Sequence, residues 1–135
     1  MTKREKAHWQ TEQNLKRDGW TIDMTAHPNH GSESLTHWML KCTVAKVLTD
    51  RGLRWTMEAT HDSRGAEVDV LCHGPEDGAP YAIECEQHAT EETVSAKLQK
   101  YVHDDENIRE CFILPVEDCP GGFEGAYAWV EDQLF

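Results

Sequence analysis

The chain has 135 residues, enough for one domain with its own core and too few for two comfortable ones. Its 25 acidic residues against 13 basic ones give a formal net charge of -12. That balance excludes a generic DNA-coating protein, because such binding is driven by lysine and arginine displacing counterions from phosphates.

No apolar run approaches the roughly 20 residues of a membrane span, and the polar stretch from Met1 to Arg17 lacks the apolar core of a secretory signal. A soluble, cytoplasmic protein with no membrane partner is therefore expected. Basic residues gather early (Lys3, Arg4, Lys6, Lys16, Arg17), whereas from Asp104 to Asp132 a run of carboxylates faces only Arg109. Such a surface suits a halophilic cell, where salt screens repulsion within a few ångströms, and suits an ordinary acidic protein equally well. Five cysteines at irregular spacings, Cys42, Cys72, Cys85, Cys111 and Cys119, read as reduced core residues. Zinc is the sharper alternative, from Cys85 with His88 and Cys72 with His73, although no CxxC pair accompanies them.

In chain order, residues 1-31 read as a polar N-terminal tail or loosely attached segment, and residues 32-135 as the folded domain. Met1 to about Asn14 has no clear period and reads as a tail or a loosely attached first helix, Trp20 to Met24 alternates weakly as a short edge strand, and His27-Pro28-Asn29-His30-Gly31 is a loop. Ser32 or Ser34 caps a helix running to Asp50, with Leu35, Trp38, Met39, Cys42, Ala45 and Leu48 at helical spacing and Gly52 at the C-terminal cap. Leu53 to Thr60 and Ala66 to Leu71 read as strands around a turn at His61 to Gly65. The turn-rich stretch from Gly74 to Pro80 returns the chain, so a third strand, Tyr81 to Glu86, is expected antiparallel. Thr90 caps a second helix with Glu91 and Glu92 in its first turn and Val94, Leu98, Tyr101 and Val102 as its apolar stripe. A fourth strand, Cys111 to Val116, follows a crossover helix and so is expected parallel to the third. Tyr127 to Leu134 closes the chain as a helix, after Gly121-Gly122 releases it. The fold class is α/β, a small mixed four-stranded sheet flanked by helices in the order helix, three strands, helix, strand, helix.

The chemistry sits on the second and third strands. Alternate side chains share a face, so Glu67, Asp69 and Leu71 are expected on one side of the second strand, and Glu84 and Glu86 together on one side of the third. Neighbouring strands bring Asp69 near Glu84 and Glu86. Carboxylates crowded on a partly buried face repel one another unless something neutralises them, and a hard divalent cation does so. Mg2+, with Mn2+ as the alternative ion, suits phosphodiester hydrolysis, and Lys97 on the following helix is placed to lean back toward the site. The plainer reading is that alternating acidic residues form the wet face of an antiparallel strand.

The segments Glu67-Val68-Asp69-Val70-Leu71 and Ile83-Glu84-Cys85-Glu86, following a helix and preceding another, resemble the core of the PD-(D/E)XK superfamily, which includes Holliday junction resolvases and restriction endonucleases. The resemblance covers about residues 33 to 116. Tyr81 to Gln87 with Thr90, Lys97, Leu98 and Tyr101 is similar to the nuclease-like half of plasmid replication-relaxation proteins, and Leu35-Thr36-His37 and Glu58 fit that pattern. The resemblance implies a restriction-endonuclease-like fold, DNA as partner, a Mg2+-dependent endonuclease activity, and a homodimer acting on two strands. It implies Asp69, Glu84 and Glu86 as metal ligands, and Lys97 and Glu58 as helpers. Glu86 stands where the superfamily usually has lysine, which leaves an alternative: a nuclease-like module without catalysis, associated with DNA or protein in plasmid or virus replication. A third reading is a small interaction protein with an acidic binding face.

His27, His30 and His37 cluster near the main helix and are candidates for a second metal or a general base, against simple solvation. Glu33 and Glu58 are each candidates for a further acidic ligand, while Glu33 more simply complements the helix dipole. Trp9, Trp20, Trp38, Trp55 and Trp129 are expected mainly in the core, with base stacking as the alternative for exposed ones.

Overall fold

The computed structural model describes residues 2–25, 33–62, 67–74, 80–87, 90–99 and 107–135. Four helices and a four-stranded mixed sheet follow in the order α1 (Lys3–Asp18), α2 (Leu35–Asp50), β1 (Trp55–Thr60), β2 (Glu67–Cys72), β3 (Tyr81–Glu86), α3 (Glu91–Leu98), β4 (Glu110–Pro115) and α4 (Phe123–Leu134). The strands lie side by side in sequence order, β1, β2 and β3 antiparallel and β4 parallel to β3. The loop from His27 to Gly31, with His27 and His30, lies outside the described residues, as do His88, Tyr101 and Val102. Among the described residues no helix is long and apolar enough to cross a membrane.

Local chemistry accounts for most of the boundaries. Ser34 caps α2 by accepting from the His37 amide, Thr90 caps α3 by accepting from the Thr93 amide, and Gly52, at φ +72, takes the left-handed position that ends α2. The polar first stretch is also a helix, because Thr2 and Glu5 form a reciprocal capping box at its start and Gly19 turns left-handed at its end. At the other end α4 begins four residues earlier than the apolar period suggests, directly after Gly122.

Three expectations need correcting. Trp20 to Met24 is no strand: it meets β1 through the Trp20–His61 bridge and the Thr21 amide on the Thr60 carbonyl, and then the Asp23 amide donates to the Thr56 hydroxyl rather than to backbone. The buried stripe of α2 runs through Leu40, Lys41, Val44, Ala45, Val47 and Leu48, so Ala45 and Leu48 of the expected stripe are buried while Leu35 is 61 % exposed. This helix is apolar around most of its circumference, and packing against both the sheet and α4 selected a stripe rotated from the one the period suggests. Finally, β2 does not alternate strictly, since Val68 packs with Leu71 on one face while Val70 packs on the other.

That last departure has a backbone cause. Met57 pairs with Val70 and Ala59 with Val68, but Glu58, between them, has φ +52, alone among the described non-glycine residues in being left-handed. The outer strand pair rolls over at Glu58 and Asp69, so Met57 and Val70 join the core under α2 and α4 whereas Ala59 and Val68 join the opposite core. Ile83, Cys85 and Leu114 also belong to the first core, and Leu15, Leu71, Ala82 and Ile108 to the second. Cys72, Cys85 and Cys111 are buried, Cys42 and Cys119 half-buried, and all five are free thiols. Of the tryptophans, Trp20 and Trp55 are buried and Trp9 is 53 % exposed.

A polar network fastens α1 and the segment after it to the sheet. Glu12 accepts from Arg54 and lies 3.1 Å from Nδ1 of the fully buried His73, whose Nε2 is 2.9 Å from the Thr56 hydroxyl. Burial works to raise the Glu12 carboxyl, but the hydrogen bonds from His73 and Arg54 hold it down to about 2. Thr56→Val keeps the shape and removes the partner of both the Asp23 amide and His73 Nε2. The expected loss is about 1–3 kcal/mol of stability, read as a lower urea midpoint at neutral pH; an unchanged midpoint would mean that this network holds nothing in place.

Candidate metal centre

The strand roll places the functional side chains at one end of the sheet. The β2–β3 ladder reaches Val70–Ile83 and goes no further, so the next inward-facing amide of β3 has no strand partner there. Asp69 supplies one: its Oδ2 accepts from the Cys85 amide at 2.8 Å. In that cleft Asp69 meets Glu84, which is 1 % exposed and close enough for the two carboxyls to share a hydrogen bond.

Two buried carboxylates in contact cannot both stay ionised at low cost. Burial, then the charge and hydrogen bond of Asp69, push Glu84 up to about 9 against the pull of Lys97. Burial also works to raise Asp69, but hydrogen bonds from His37, Glu84 and the Cys85 amide hold it below the usual carboxylate value. The shared proton therefore belongs to Glu84. Its Oε1 is buried without a hydrogen-bond partner among the described residues, a costly state for a carboxyl oxygen.

Lysines flank the pair. From α3, Lys97 Nζ lies 2.9 Å from Glu86 Oε2 and 3.3 Å from Glu84 Oε2. From α2, Lys41, 2 % exposed, is clamped between Glu33 at 2.6 Å and Glu58 at 2.9 Å. His37 bridges these two parts, Nδ1 at 3.5 Å from Glu33 and Nε2 at 3.5 Å from Asp69 Oδ2. Its hydrogen bond with Asp69 raises the imidazole pKa against the effect of burial. The result is one continuous chain of acidic and basic side chains, Glu58, Lys41, Glu33, His37, Asp69, Glu84, Lys97 and Glu86, interrupted only by the Asp69–Glu84 carboxyl pair.

Of the residues singled out in the sequence, Asp69 and Glu84 come into direct contact, and Glu86 joins them through Lys97. Glu58 reaches Lys41 rather than the cleft, because its left-handed backbone diverts the side chain from its strand row. Lys41 was missed as a site residue. Its signal was available: Glu33, just before the cap, His37 and Lys41 recur at four-residue intervals. Among the described residues no group of three His, Cys, Asp or Glu side chains, Asp69, Glu84 and Glu86 included, is arranged to hold a metal ion. The oxygen donors of Asp69 and Glu84, with Glu84 Oε1 buried and unpartnered, are the groups that would hold a hard cation in place of the shared proton.

The sign of the pH dependence follows from Glu84. Its carboxyl titrates near the usual 4.5 when unfolded and near about 9 when folded, so the native state holds an extra proton between those values and stability falls as pH rises through them. His37, also raised, adds to the same trend above its ordinary 6.5, whereas lowered Asp69 acts only below 3.8. Glu84→Gln mimics the protonated carboxyl. Urea unfolding at about pH 5, 7 and 9 is expected to show wild type weakening steadily and the variant much less; parallel curves would mean that Glu84 is ionised in the native protein.

The chain matches no protein-family model, no curated protein and no solved structure.

Proposed function

We propose that this chain is a Mg2+-dependent DNA phosphodiesterase with a restriction-endonuclease-like fold of the PD-(D/E)XK type. The observation that carries the reading is the Asp69–Glu84 carboxyl pair at the point where β2 and β3 part, with Lys97 of the next helix on Glu84 and Glu86. The order of helix, antiparallel meander, helix and parallel fourth strand agrees with that fold. DNA as the partner rests on the sequence resemblance. The net charge of -12 works against contact with phosphates except where a cation mediates it.

Asp69 and Glu84 would hold the ion, with Glu86 as third ligand or base. When bound, Mg2+ supplies polarisation of a phosphoryl oxygen and neutralises charge developing there. The chain's own groups do the rest. Glu86, 21 % exposed in its side chain, is the carboxylate open to water and accepts the proton of the attacking water. Lys97 replaces the lysine that the motif lacks at position 86 and offers an ammonium to the phosphate. Lys41, with Glu33 and Glu58, holds His37 against Asp69 and so fixes the direction of that carboxylate.

One observation favours the second reading, a nuclease-like module without catalysis: Lys97 already pairs with Glu86 and contacts Glu84, so the cluster can persist as a structural ion network. Calorimetric titration of Mg2+ and Mn2+ into wild type and an Asp69→Ala/Glu84→Ala variant, at high and moderate salt, separates the two. Saturable binding that the variant loses is expected, followed by cleavage of branched, single-stranded or duplex DNA. DNA binding without metal binding would favour the inactive module, and neither would leave an acidic interaction surface.

A further inference from the structure

We propose that the outer face of α1, with Arg54 beside it, is a docking surface for single-stranded DNA: the indole of Trp9 stacks on a base, and the lysines and arginines around it hold the neighbouring phosphates. The inference rests on the reading of DNA as the partner and names the surface that would take it, without using the metal centre.

The helix is laid out in two faces. Glu12 and Leu15 are buried toward the sheet. On the other side Lys3, Lys6, Trp9, Gln13, Lys16 and Arg17 follow one another at steps of three or four residues, the spacing of a single helix face. All of these are exposed except Gln13, which is half-buried. The carboxylates of α1 do little to cancel that charge, because each is engaged within the protein. Glu5 accepts from the Thr2 amide at 2.7 Å, Glu12 is held by Arg54 and His73, and Asp18 lies 3.4 Å from Nε2 of the buried His61.

A stripe of lysines is by itself a solvated face. What sets this one apart is the aromatic ring within it: Trp9, alone of the five tryptophans in being exposed, lines a cleft of about 240 Å3 together with Glu5, His8, Glu12 and Arg54. An indole half in water offers a ring face to an unpaired base, which a base inside a duplex cannot use. Arg54 supplies the second part of a nucleotide site. Its Nε donates to Glu12 and its side chain is 45 % exposed, so the outer edge of the guanidinium is open to a phosphate oxygen. The remainder of the chain supports the placement by contrast. From Glu110 to Phe135 there is no lysine or arginine, so phosphates are repelled by that part of the surface and attracted by α1.

The test uses the full chain and reads binding rather than cleavage. An oligothymidine strand of on the order of 15 nucleotides is titrated at low salt with a metal chelator present, and circular dichroism confirms that each variant folds. Wild type is expected to bind with quenching of its tryptophan fluorescence. Trp9→Ala is expected to weaken binding about tenfold, and Trp9→Phe to keep most of the affinity while losing the quenching. Four cations on phosphates, Lys6, Lys16, Arg17 and Arg54, give an expected slope of log affinity against log salt of about −3, made shallower by about 1.4 in Lys6→Gln/Lys16→Gln. Lys46→Gln, which removes a cation of α2 paired with Asp50, is the control expected to change neither affinity nor slope. Binding that Trp9→Ala and the lysine variant leave intact, or a duplex bound as tightly as the single strand, overturns the inference and leaves DNA as the partner. Binding that appears only when Mg2+ replaces the chelator also overturns it, and assigns the DNA to the metal centre. No binding of single strand or duplex under either condition sinks both this inference and the DNA reading.

Discussion

Two carboxyl groups pressed together inside a protein must share a proton, take up a cation or move apart, and the Asp69–Glu84 pair imposes that choice on everything around it. The surrounding structure answers in layers. A proton on Glu84 removes one charge, the Cys85 amide and His37 stabilise the remaining charge on Asp69, and Lys97 balances the outer side. Each of these partners comes from a different element, so the pair ties β2, β3, α2 and α3 together at one end of the sheet.

The same end of the sheet carries the strained backbone. Glu58 adopts a left-handed conformation that a non-glycine residue takes only at a cost of about 1–3 kcal/mol. Its carboxylate gains the buried Lys41 ammonium, which is also held by Glu33. Removing one member of that triad would leave a buried charge uncompensated, so the three residues stand or fall as a unit. Through Glu33 and His37 the triad reaches Asp69, and the roll of the strand pair that Glu58 creates is also what frees the Cys85 amide for Asp69. Backbone conformation, buried ion network and carboxyl pair are three aspects of one arrangement.

At the other end of the sheet a separate polar network holds α1, built from Glu12, Arg54, His73 and Thr56. It shares no residue with the candidate centre. The α1 helix is mostly polar and exposed, and buries Leu15 and Glu12. A helix with so little apolar contact depends on such hydrogen bonds for its position, and these were invisible to a reading based on apolar period.

What the sequence determined by itself is what depends on neighbours a few residues away. Ser34 and Thr90 cap the helices they precede, Gly52 ends α2, and the alternation in Tyr81 to Glu86 puts Ile83 and Cys85 on one face and Glu84 and Glu86 on the other. The parallel fourth strand also followed, because a crossover through a helix leaves little choice of direction. The tertiary structure alone decided which stripe of α2 is buried, that Lys41 lies in the core, that β2 rolls over at Asp69, and which carboxylate Lys97 holds more closely. Local patterns specify where a side chain points relative to its own element. Partners dozens of residues away are selected by strand register and helix docking, which only the assembled fold supplies.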